Sequence, residues 1–112
     1  KMSFASKHNH EPKFNIDTKD WPYVNLSDLK MDHIYKLDGF YINHKSQFDP
    51  APVFMTDKML VNMPSHLTKE CQLILENEVE IAEIKDGKVG FELRSYKDKK
   101  GKDRLTISWV DI

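Results

Sequence analysis

Cysteine is almost absent from this chain of 112 residues. Cys71 stands alone, which excludes an intrachain disulfide framework and any zinc site built on several thiolates. The fold is therefore held by packing. No run of 18 or more apolar residues occurs, and the first residues lack a charged-then-apolar signal pattern, so neither a membrane span nor Sec-type export is expected. That places the protein in the cytoplasm. Catalytic signatures are missing too: there is no phosphate-binding glycine loop, no His-Glu-x-x-His pair and no Gly-x-Ser-x-Gly elbow. Net charge is nearly absent at −1. What is present is 39% apolar residues with two Trp, four Tyr and six Phe, enough to pack one small domain and to argue against wholesale disorder.

The balanced total hides an uneven distribution. Residues 65–84 carry Glu70, Glu76, Glu78, Glu80 and Glu83 against Lys69, while 85–104 carry eight bases against four acids. An acidic segment thus precedes a basic one. Residues 1–13 are polar and aperiodic and are expected to form a flexible tail, with Lys1 a remnant ahead of a natural start at Met2 and His8 and His10 solvated. Residues 14–112 then form one domain. Trp21, Pro22, Tyr23, Val24, Leu26 and Leu29 lead into it as a lid or an extra edge strand.

Residues 34–43 are rich in aromatic and β-branched types around Gly39, which predicts a strand bent or bulged at the glycine. Pro50 and Pro52 predict a loop and forbid a central strand through them, so a second strand is expected only over 53–55. A turn at 56–58 leads to a third strand at 59–63, closed by Pro64. Leu67, Cys71, Ile74 and Leu75 then fall on one face of a helix, with Ser65 or Thr68 to cap it. Asn77 and Glu80 predict a second cap, starting a short helix that carries Val79, Ala82 and Ile84 and ends at Gly87. Alternation over 89–96 and 105–110 predicts two half-buried strands, Trp109 pointing inward with Leu105 and Ile107, joined by a loop without apolar residues.

The order βββ-α-ββ predicts a mainly β protein with a helical insertion, an OB-fold-like, five-stranded, partly open barrel. An SH3-like barrel or a plain α+β sheet are the competing arrangements. In an OB-fold the first strand, beginning near Tyr35, pairs both with 53–55 and with 89–96. The runs 21–29, 39–43, Pro64-Ser65-His66-Leu67 and the ending Ser108-Trp109-Val110-Asp111-Ile112 resemble small proteins of Gram-positive conjugative plasmids, transposons and phages. The resemblance covers about residues 21–112 and implies an OB-fold single-stranded-DNA-binding-type protein; it assigns no functional residues. An ordinary bacterial single-stranded-DNA-binding protein ends in an acidic, partner-recruiting tip, and this chain ends Val110-Asp111-Ile112. That departure speaks against recruitment of replication partners.

Binding single-stranded nucleic acid requires cations along the phosphate path and aromatic faces for stacking. Two loops offer both. Tyr41, Lys45 and Phe48 belong to the first, and Arg94, Tyr96, Lys97, Lys99, Lys100, Lys102 and Arg104 to the hairpin. The expected partner is single-stranded DNA or RNA, alongside further copies of the chain. No cofactor, metal or catalytic residue is expected: Cys71 lies on the apolar helix face, and Asp38 on the outer face of a strand. The rival reading is a protein-interaction module of a mobile element that uses the apolar lead-in and the acidic helices. The near-neutral net charge favours that rival.

Overall fold

A computed structural model of the chain describes residues 14, 16–44 and 50–112; the expected tail and the loop candidates Lys45 and Phe48 lie outside them. Among the described residues are seven strands: β1 (Tyr23–Asn25), β2 (Ile34–Lys36), β3 (Gly39–Asn43), β4 (Ala51–Thr56), β5 (Met59–Asn62), β6 (Val89–Lys97) and β7 (Asp103–Asp111). Two helices, α1 (Thr68–Leu75) and α2 (Glu78–Lys85), separate β5 from β6. No helix among these residues is long and apolar enough to cross a membrane.

The strands form two sheets, one ordered β1-β5-β4-β3 and the other β2-β6-β7. β2 runs into β3 through Leu37 and Asp38, so a single segment edges both sheets. Consecutive amides make the switch: Leu37 N donates to Val89 O at 3.0 Å in one sheet, and Asp38 N to Met55 O at 2.8 Å in the other. The segment beginning near Tyr35 therefore pairs with β6 (Tyr35 opposite Phe91) and with β4 (Phe40 opposite Phe54). Gly39 follows the bend, where a Cβ would stand 2.7 Å from Phe14 Cγ; here the missing side chain admits an aromatic ring.

The sheets do not close into a barrel. The edge of β5 is occupied by β1, paired in parallel from Tyr23 opposite Leu60 to Asn25 opposite Asn62. The lead-in is thus an edge strand. Between the sheets Phe54, fully buried, packs its ring 5.2 Å from Phe91, 5.7 Å from Trp109 and 5.8 Å from Phe40, measured between centroids. Fully burying one such side chain contributes roughly 1.5–3 kcal/mol. Leu67, Cys71 and Ile74 complete this core from the helical side.

Local sequence explains most elements and corrects four expectations. Asn77 caps α2, its Oδ1 accepting from Val79 N and Glu80 N while its amide donates to Glu80 Oε1 at 2.8 Å. Gly87 takes the left-handed φ of 74° just past that helix. Against expectation, α1 has no side-chain cap: a 3-10 turn over Ser65–Leu67 leads into it, and Thr68 Oγ1 donates instead to Pro50 O at 2.5 Å. Pro52 is the second residue of a central strand, where it accepts from Met63 N at 3.0 Å. It sits one step beyond the paired span of β5, so its missing N–H costs the end of a ladder and not the middle. On α2 the buried residues are Ile81 and Ile84, whereas Val79 is exposed. Finally, alternation does not carry through to β7, whose residues 105–110 are all half-buried, Trp109 included.

Candidate nucleic-acid interface

β6 and β7 pair in unbroken register from Val89 opposite Asp111 to Lys97 opposite Asp103. The inner end is anchored, with Phe91 at 0% and Leu93 at 4% exposure. From Arg94 to Lys97, and from Gly101 to Arg104, every residue is exposed, and Asp98 between them is half-buried. The ribbon extends beyond the core.

Its tip is built around one carboxylate. Asp98 Oδ1 accepts from Lys100 N at 2.9 Å and from Lys102 N at 3.0 Å, and Oδ2 accepts from Arg104 Nε at 3.1 Å. Backbone bonds from Asp98 N to Lys102 O and from Gly101 N to Asp98 O finish the turn, with Gly101 at a φ of 77° that favours glycine. The Lys102 amide first, and then the Arg104 guanidinium, hold the Asp98 carboxyl below its ordinary 3.8. The loop is thereby fixed without apolar contacts.

The same geometry sorts the cations. Arg94 lies 3.4 Å from Glu92, Lys97 3.6 Å from Asp103 and Arg104 3.1 Å from Asp98. Lys99, Lys100 and Lys102 have no ion-pair partner among the described residues. Three ammonium groups therefore meet solvent within one five-residue loop. Tyr96 stands beside them, 42% exposed and opposite Arg104 in the ladder. His66 meets its ring edge-to-face at 6.2 Å and bonds through Nε2 to Thr106 Oγ1 at 2.9 Å. This brace joins residues 40 apart in the chain, and no spacing rule announces it.

Tyr41 is placed elsewhere. It packs with Trp21 and Ile16 against Val53, Met55 and Leu60, on the sheet face opposite to Phe40 and Phe54. Its hydroxyl lies 3.2 Å from that of Tyr23, and burial, with help from this bond, pushes its pKa up to about 12. Tyr23, 64% exposed, joins the aromatic candidates through a parallel strand pairing that periodicity does not reveal. The hairpin residues are thus brought together and Tyr41 is not among them.

The groups with reactive potential are tied down. Cys71 is fully buried, which pushes its thiol up to about 12 and leaves it protonated at neutral pH. Asp38 is raised by burial, with Lys36 3.9 Å away. Among the described residues no cluster of three or more His, Cys, Asp or Glu could hold a metal ion. Comparison with protein-family models, with curated proteins and with solved structures finds no match.

Proposed function

We propose that the protein binds single-stranded nucleic acid, largely without regard to sequence, through the β6–β7 hairpin. The observation that carries this reading is the grouping of Lys99, Lys100 and Lys102, unpaired among the described residues, next to the exposed ring of Tyr96. Phosphates follow the cations and a base stacks on the ring. Stacking contributes roughly 1–3 kcal/mol per base. Arg94 and Arg104, each held by an acid, keep part of their charge for the strand, and Lys97 does the same from the stem.

The same proposal extends to the fold. Five of the strand segments reproduce pairings of an OB-fold: the bent first strand with the second and fourth, the second with the third, the fourth with the fifth. The difference is the seam between third and fifth, where β1 covers the edge of β5. In this reading the hairpin is the loop between strands four and five, one of the two that bind in OB-folds. The loop between strands one and two would bring Lys45 and Phe48.

A fluorescence titration with a labelled oligothymidylate and with a duplex of equal length, each at two salt concentrations, tests the proposal. Tighter binding of the single strand, weakening with salt, is expected. Equal affinity for both forms would reduce the hairpin to generic charge attraction.

A further inference from the structure

The helices and the inner end of the ribbon enclose a cleft of about 340 Å³. Its apolar wall is Leu73, Ile74, Ile84, Val89 and Trp109, and its rim carries Glu70, Glu80, Glu83 and Asp111. Glu70 accepts from Trp109 Nε1 at 2.7 Å, which fixes the indole in the wall. None of the four acids has a cationic partner among the described residues. An apolar wall under a carboxylate rim suits a long cationic side chain, whose methylenes lie on the wall while its head reaches the rim.

The chain carries that complement itself, at the wrong end for its own use. The cleft is at the Val89–Asp111 end of the ladder and the three unpaired lysines lie beyond the Lys97–Asp103 end. Eight residue steps of about 3.3 Å each put roughly 26 Å between those ends. One copy cannot fill its own cleft. We infer that the lysine-bearing tip of one copy docks in the acidic cleft of a second copy, a head-to-tail contact between two different surfaces. Such a contact leaves one tip and one cleft free in every dimer, so it propagates into chains or closes into rings. Its footprint is small and charged, so it forms transiently and weakens with salt. It does not depend on nucleic-acid binding, although a strand held by the same lysines competes with it.

Sedimentation velocity without nucleic acid tests it. At low salt the average mass should rise with concentration above the 13.2 kDa of one chain, and it should return to that value at about 0.5 M salt, where screening acts within roughly 5 Å. A tip variant (Lys99→Gln, Lys100→Gln, Lys102→Gln), neutral so that it attracts neither cleft, and a cleft variant (Glu83→Lys, Asp111→Lys) should each stay single. Mixed, they should form a one-to-one dimer and nothing larger, since only one competent tip and one competent cleft remain. Wild-type protein that stays single at low salt overturns the inference, as does a mixture that stays single, or self-association that survives the tip substitutions. Circular dichroism checks the fold of both variants; should the cleft variant fail to fold, the tip variant mixed with labelled wild-type protein, which it should cap and shorten, decides the matter.

Discussion

The inner and outer halves of the β6–β7 hairpin share one ladder, one register and one strand composition style, yet they do opposite things. In the inner half Phe91 and Leu93 are buried in the core, Phe91 against the ring of Phe54, and Trp109 is held by Glu70. In the outer half the loop is ordered by a carboxylate, three donors and a left-handed glycine, His66 braces Tyr96 and Thr106 on the stem, and no side chain is fully buried. A two-stranded ribbon is marginal alone in water, so the outer half borrows its order from the inner half through backbone pairing. The lesson is that stability and charge can be placed at opposite ends of one element, with little cost of one to the other.

That separation can be broken, and the largest effect is expected inside. Phe91→Ala should remove about 3–5 kcal/mol of unfolding free energy, read from urea denaturation, because a fully buried ring leaves a cavity between the sheets. By contrast, replacing Lys99, Lys100 and Lys102 with Ala should leave the denaturation midpoint in place. It should instead weaken single-strand binding about a hundredfold at 0.1 M salt and flatten the salt slope by about two, from three lost contacts at roughly 0.7 each. Loss of stability in this variant would show that the halves are coupled. Tyr96→Ala sharpens the division within the outer half: binding should fall by roughly 1–3 kcal/mol with the salt slope nearly unchanged, since stacking releases no counterions.

The smallest effect concerns Asp98. Its folded pKa lies below the ordinary 3.8, so the order it confers is present above that value and fades as pH falls through the lower, folded one. Amide exchange at Lys100 and Lys102, followed by NMR, should accelerate there while that of Phe91 does not. Simultaneous acceleration at all three would deny the outer half any independent transition.

Elements governed by neighbours in the chain were legible in the sequence. Asn77 with Glu80, Gly87 after α2, and the apolar-free loop around Asp98 each act over a few residues, and each appears where chemistry places it. Features set by distant neighbours were not. Pro52 enters a central strand because β5 ends opposite it, which depends on pairing lengths that no local signal encodes. The even half-burial of β7 arises because both of its faces are partly covered, so the period of two is lost in exposure though kept in the ladder. On α2, Val79 and Ile81 are alike in composition, and it is packing into the shared core that buries Ile81 while Val79 stays exposed. Of the candidate site, the hairpin was legible because charge and alternation coincide there; the support of Tyr96 by His66, and the link from Tyr41 to Tyr23, cross between elements.

β1 has a consequence for the order of assembly. It contributes three residues, pairs in parallel with β5 across 37 positions of sequence, and packs nothing fully buried of its own. Closing so long a loop for so few bonds makes it a late arrival during folding and an early departure during fluctuation. While it is away, the backbone of β5 shows a row of open donors and acceptors, the kind of template on which foreign strands nucleate. The short strand is therefore a guard against misassembly, and the rate at which it lifts sets how often the protein is exposed to that hazard.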